Sequence, residues 1–192
     1  MVDKAQSKIC ALFFCLLLIF LLYNDAMTTF FISDTHFSHS NVLTFTREDG
    51  TPLRDFSSIE DMNEHIIKQW NSVVRPDDLV YHLGDVVMNE RYLPIVHRLM
   101  GRKILLRGNH DYAPTLTYLE YFEEVYATYN FKSMILSHFP LEKNSIIQRY
   151  KVNVHGHLHA NIIKDPTYVN VCVECLDYTP ISLEDLRKKC NL

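Results

Sequence analysis

The sequence predicts a single layered α/β domain, and three observations carry that expectation. Short apolar β-rich runs alternate with helical segments from Thr29 to Arg107, the βαβα order of a sheet covered by helices. Residues 27–192 contain no repeat, low-complexity stretch or linker that would divide them. A chain of 192 residues, 47% hydrophobic and 22% charged, is long and apolar enough to bury one core.

Taken in order, Thr29 to Ser33 is a short apolar run ending in polar residues, the pattern of a buried strand delivering side chains to a sheet edge. A loop follows from Asn41 to Phe56, holding Gly50 and Pro52. Ser57 with Glu60 forms a capping box, after which Ile59, Met62, Ile66, Trp70 and Val73 recur at helical spacing, closing before Pro76. Leu79 to His82 reads as a strand, Tyr92 to Met100 as a helix and Lys103 to Arg107 as a strand. Phe131 to Ser137, Val152 to His155 and Tyr168 to Val173 are strand-like, and Ser182 to Lys189 is a capped terminal helix.

The N-terminal segment stands apart. Ile9 to Tyr23 carries no charge, which is short of the ~20 apolar residues a membrane span needs. It is the length of a signal-peptide core, but Asn24 occupies the position where cleavage after Ala26 wants a small residue. Residues 1–26 therefore read as a membrane anchor contacting lipid through residues 9–23 or as an extension upstream of a start at Met27, with a cleaved signal-like segment ranked behind both. A start at Met27 implies a cytoplasmic domain of residues 27–192; retention of the segment implies a tethered one.

Charge and cysteine content remove several functions. With 19 Lys plus Arg against 23 Asp plus Glu, the net charge of -4 leaves no extended nucleic-acid surface, so a phosphate-bearing ligand has to be attracted locally. Five cysteines form no disulfide framework, and Cys172 and Cys175 lack the second ligand pair of a zinc knuckle, so they read as inert packed thiols. Tyr and Phe, eleven each, belong to the core or pocket walls.

Histidine is the anomaly. Of ten, eight fall within or beside short polar clusters between His36 and His159. The first strand runs into Asp34-Thr35-His36, where alternation puts Asp34 and His36 on one side. The second runs into Gly84-Asp85 and the third into Gly108-Asn109-His110-Asp111; His138 and then Gly156-His157-Leu158-His159 follow later strands. Hard and borderline metal ligands thus gather at the carboxyl ends of strands, where open α/β sheets bind ligands.

This order of Asp-x-His, Gly-Asp, Gly-Asn-His-Asp, a lone His and Gly-His-x-His resembles the calcineurin-like metallophosphoesterase superfamily, from about Thr28 to the C-terminus. The text around the motifs is similar to small bacterial and phage members. The resemblance implies a four-layer α-β-β-α sandwich with a dinuclear centre, Asp34, His36 and His159 on one metal, Asn109, His138 and His157 on the other, and Asp85 bridging. It also implies a catalytic His110 set against the substrate phosphate and oriented by Asp111. The implied activity is hydrolysis of a small phosphomonoester or phosphodiester by a metal-bridging hydroxide, without a covalent intermediate. Imidazole, carboxylate and amide ligands without thiolate fit manganese, iron, zinc, cobalt or nickel and do not choose among them; manganese is taken as the first expectation.

Two such ions leave the centre positive after Asp34, Asp85 and a hydroxide are counted, which reconciles an acidic chain with an anionic substrate. His39, Asn41, Arg54 and Arg107 are placed by sequence to contact substrate, with ordinary surface ion pairs as the alternative for the two arginines. His82 and His155 read either as partners of the ligands or as buried backbone-bonded residues, and His65 and His97 as solvated helix residues. The rival reading is a non-catalytic scaffold that binds proteins on the same fold; complete ligand motifs and His110 weigh against it. Oligomeric state is left open by the sequence.

Overall fold

The computed structural model describes residues 27–190 and 192; the apolar run Ile9 to Tyr23 lies outside the described residues. Among the described residues no helix is long and apolar enough to cross a membrane. Two sheets form the frame. One has the order β4-β3-β2-β1-β9, with β1 (Thr29–Ile32), β2 (Leu79–His82), β3 (Arg102–Leu106) and β4 (Glu124–Tyr126) parallel and β9 (Ile181–Ser182) antiparallel to β1. The other has the order β5-β6-β7-β8: Thr128–Phe131, Met134–Ser137, Val152–His155 and Tyr168–Asn170. Its first pair is an antiparallel hairpin turning through Lys132 at φ 56°, and the rest is parallel.

Alternation along the strands builds two cores. Phe30, Ile32, Val80 and Leu105 point to the helical side, where α1 (Ile59–Val73) buries Met62, Ile66 and Trp70. Phe31, Tyr81, Ile104 and Leu106 point the other way and meet Met134, Leu136, Val152 and Val154 of the second sheet. Each fully buried side chain of this size contributes about 1.5–3 kcal/mol, so both faces of the first sheet are committed to packing. Leu186 of α4 (Leu183–Lys189) closes the inter-sheet core. The outer layer over the second sheet is thin: α3 (Lys143–Ile147) is one turn, and Asn153 answers the Leu141 N–H beside it.

Local chemistry explains where the elements depart from expectation. Ser58, not Ser57, caps α1, its hydroxyl accepting the Asp61 N–H at 3.0 Å, while Ser57 bonds the Asp61 carboxylate. The helix expected over Tyr92 to Met100 is a 3-10 helix from Glu90 to Arg98, because Pro94 lacks the N–H that an α-turn would donate to Glu90. The run Phe131 to Ser137 is split by the hairpin turn, and the strand expected to reach Val173 stops at Asn170 before a 3-10 turn, Val173–Cys175. β4, β9 and α2 (Thr115–Tyr118) are elements of two to four residues that periodicity does not signal.

Candidate metal centre

Every motif cluster follows the carboxyl end of a strand, and the two sheets meet there. Asp34 N–H donates to Gly84 O at 2.9 Å, His36 N–H to Asp85 O at 3.0 Å and Gly156 N–H to His138 O at 2.9 Å. A parallel bridge between Ser33 and Cys172 ties the sheets together at this edge. Asp34, His36, Asp85, His157 and His159 all have positive φ, between 47° and 69°. Left-handed backbone costs about 1–2 kcal/mol per non-glycine residue, a strain that accumulates at functional sites. Asp34 and His36 thus share a side because of this loop and not because of strand alternation, which ends at Ile32.

Two ligand groups result: Asp34, His36 and His159, and Asp85, His138 and His157, with the atoms within each set lying within 4.8 Å of one another. Asp85 Oδ2 stands between them, 3.6 Å from His36 Nε2 and 3.5 Å from His138 Nε2. Asn109 Oδ1 converges on the second group, 2.9 Å from His138 Nε2. Each carboxylate divides its oxygens. Asp34 Oδ2 accepts from Ser33 Oγ, the His157 N–H and Cys172 Sγ, while Oδ1 is buried without a hydrogen-bond partner. Asp85 Oδ1 accepts the His110 N–H at 2.8 Å and leaves Oδ2 to the centre.

The imidazoles are directed too. His138 Nδ1 lies 2.8 Å from Leu83 O and must carry the proton there, so Nε2 offers its lone pair to the centre. Both ring nitrogens of His36 are buried without a hydrogen-bond partner, Nε2 facing Asp34 and Asp85. Unpartnered buried acceptors are costly unless something electrophilic answers them, and carboxylate, imidazole and amide donors suit a divalent transition ion. The residues present therefore fit the metal pair the motifs imply.

Titration follows the crowding. Burial pushes the Asp85 carboxyl up to about 6 against the pull of His138. Burial acts on Asp34 in the same sense, but the surrounding imidazoles outweigh it and hold that carboxyl well below the usual range. His36 is pushed down to about 4 by burial despite its aspartate neighbour.

Around the two groups, several sequence expectations change. Asp111 does not orient the His110 ring: its carboxylate accepts the backbone N–H of Asp85, Val86 and Gly108, so it ties the second and third motif loops together. His110 instead packs edge-on to His36 at 5.5 Å between ring centroids, with Tyr112 Oη 3.5 Å from its Nδ1. Arg54 is neither a phosphate clamp nor a surface pair; it is 1% exposed and spends its donors on Glu174 and the carbonyls of Asp34 and Thr35. Arg107 bonds the carbonyls of Asp111 and Ala113, stabilising the loop after His110. His39 sits 5.5 Å from the His36 ring with a buried, unpartnered Nδ1, at the mouth of the centre; Asn41 is exposed at the start of a 3-10 helix, Ser40–Thr44.

The remaining histidines also find places. His82 is buried, accepting the Gly84 N–H at Nδ1 and meeting Thr35 Oγ1 at Nε2; His155 lies 2.8 Å from Gly156 O. His65 is half-buried between Phe56 and Tyr178, and His97 is exposed against Tyr121. Sequence reasoning misses Glu174 and the roles of Ser33 and Cys172, since no local spacing links residue 174 to residues 54 and 159. The Cys172 thiol, fully buried and raised well above its ordinary value by burial, donates to Asp34.

A family model for calcineurin-like phosphoesterases matches residues 27–188. An uncharacterized protein of Methanocaldococcus jannaschii is 33% identical over 171 residues, covering 81% of this chain and 86% of that protein. The gene 66 protein of Mycobacterium phage L5 is 27% identical over 173 residues, covering 70% and 79%. The crystal structure of a protein of unknown function from Aquifex aeolicus superposes with a TM-score of 0.67 at 30% identity, covering 84% of this chain and 98% of its own. With the expected motifs gathered at one sheet edge and a family match running through nearly all the described residues, the chain belongs to the calcineurin-like phosphoesterase family.

Proposed function

We propose that the protein is a dinuclear metal-dependent phosphoesterase that hydrolyses a small phosphomonoester or phosphodiester. The observation that carries the reading is the pair of ligand groups facing one shared carboxylate, Asp85. Asp34, His36 and His159 hold one divalent ion, and Asn109, His138 and His157 the other, with manganese the first choice. Such a pair, when bound, supplies a nucleophilic water near neutral pH and offsets phosphoryl charge.

The chain's own groups do the rest. The packing of His110 against His36 of the first group supports giving it the role of donating a proton to the leaving oxygen or hydrogen-bonding the phosphoryl group. Asp111 acts through the backbone, fixing the loops that present Asp85 and Asn109. Two modest clefts adjoin the centre. One of about 280 Å³ is lined by His110, Tyr112, Met88 and Asn89; another of about 380 Å³ is lined by His157, His159, Phe45 and Arg47. Either cleft has room for part of a small ester beside the centre.

The test is hydrolysis of bis-p-nitrophenyl phosphate, p-nitrophenyl phosphate and a nucleotide panel by the manganese-loaded protein. Turnover that depends on manganese and falls in His110→Ala, with metal content intact, supports the reading. A preparation holding two ions yet inert toward every ester overturns it.

A further inference from the structure

The two ligand groups are held by different buried devices. The Asp85 side is braced by the Asp111 carboxylate on three backbone N–H groups and by Leu83 O on His138. The other side rests on an ion pair that bridges 120 residues of sequence, Arg54 with Glu174, both side chains having no solvent exposure. Arg54 Nε and Nη2 reach Glu174 Oε1 at 2.8 and 2.7 Å. The same guanidinium donates from Nη1 to Thr35 O at 2.8 Å and from Nη2 to Asp34 O at 2.5 Å. Glu174 Oε1 also lies 3.0 Å from His159 Nδ1.

We propose that the Arg54–Glu174 pair is a positioning device dedicated to one of the two metals, aligning His159 and the Asp34–His36 loop as a unit. Against a carboxylate, His159 Nδ1 carries the proton, which leaves the Nε2 lone pair for the ion. The Asp34 and His36 backbones are left-handed, and the guanidinium satisfies the two carbonyls inside that loop, so it holds a strained conformation that the local sequence does not favour. A buried ion pair is weak as a source of net stability, since desolvation offsets most of its attraction; alignment is what this one adds. The pair touches His159 directly and the Asp34–His36 loop through the carbonyls of Asp34 and Thr35, and it makes no hydrogen bond or ion pair with the Asp85, His138 or His157 side chains.

This inference rests on the dinuclear reading, and the experiment separates the two. Mn²⁺ is titrated by calorimetry into the full-length metal-free protein, and electron paramagnetic resonance distinguishes a coupled pair from an isolated ion. The wild type should bind two ions and give a coupled spectrum. Glu174→Gln should keep one ion at wild-type affinity, weaken the other ~10–100-fold and show an isolated six-line signal at two equivalents. The double variant R54M/E174L removes the charge pair together and avoids an unpaired buried arginine; it should show the same split.

Two ions bound at wild-type affinity by the double variant, or equal weakening of both, overturns the proposal. A wild type that binds fewer than two ions overturns the dinuclear reading and this inference with it. A measurement on the unsubstituted protein needs no variant to fold: at pH 8 without metal, ¹⁵N histidine spectra should show the Nδ1–H tautomer of His159. The Nε2–H tautomer contradicts the proposal.

Discussion

Adding one methyl group at Gly156 or Gly108 is the sharpest mechanical test of how the carboxylates are seated. A Cβ on Gly156 would overlap Ser33 Oγ and Asp34 Oδ2 and stand 2.8 Å from Ser33 Cβ. One on Gly108 would overlap Asp85 Oδ1 and stand 2.8 Å from Asp85 Cγ. Carbon atoms rest at about 3.5–4.0 Å, so either carboxylate or its neighbour must retreat by roughly 0.7 Å or more. Overpacking of this kind costs about 1–3 kcal/mol, which for a domain of this size lowers Tm by roughly 2–12 °C. A misplacement near 1 Å can also cost about 100-fold in rate. Thermal melting with and without Mn²⁺, followed by metal analysis of the dialysed protein, reads both effects. We expect Gly156→Ala to deplete the ion of Asp34 and Gly108→Ala to weaken both, because Asp85 is shared. Wild-type melting and two retained ions in either variant would refute the claim that these glycines make room for ligand carboxylates.

Other outcomes follow from the same geometry. Asp85→Asn should lower occupancy of both metals, measured by mass spectrometry of bound ions, because Oδ2 stands between His36 and His138; retention of both argues against sharing. His110→Ala should lower kcat ~100-fold or more while both ions stay, and parallel metal loss would contradict its assignment. Asp111→Asn should reduce thermal stability and the occupancy of the Asp85 group, since it loosens three backbone bonds; an effect confined to the pH profile of His110 would restore the orienting role that the geometry denies. His82, buried and pushed down to about 3, binds its proton more weakly folded than unfolded. Its contribution is therefore complete above pH ~6.5 and is lost as pH falls toward the folded value, by about 1.4 kcal/mol per unit. Denaturant melts of metal-free wild type and His82→Gln between pH 7 and 4 should differ by this slope, the variant losing less stability as pH falls; parallel curves would contradict it.

What the sequence discloses is what local spacing encodes. The helix Ile59–Val73 is legible because its apolar residues recur with the turn of the helix, and the strand Leu79–His82 because it is an apolar run between Pro76 and Gly84. The ligand clusters are legible because each is contiguous and each follows a strand. Asp111 misleads for the same reason: it adjoins His110 in sequence, yet its side chain turns back to the backbone of the second motif. Arg54 misleads in reverse, since a cation near a motif loop reads as a phosphate contact until its partner is found 120 residues away. The shared orientation of Asp34 and His36 is anticipated for the wrong reason, pleat in place of a left-handed loop. Strands of two or three residues, β9 and β4, are held by their neighbours and leave no periodicity to read.

The most direct measurement is anomalous diffraction at the manganese edge from a crystal grown with Mn²⁺. The account predicts two peaks about 3.5–4 Å apart, one on either side of Asp85 Oδ2, the first against Asp34, His36 and His159 and the second against Asn109, His138 and His157. A single peak, or peaks away from Asp85, would contradict it.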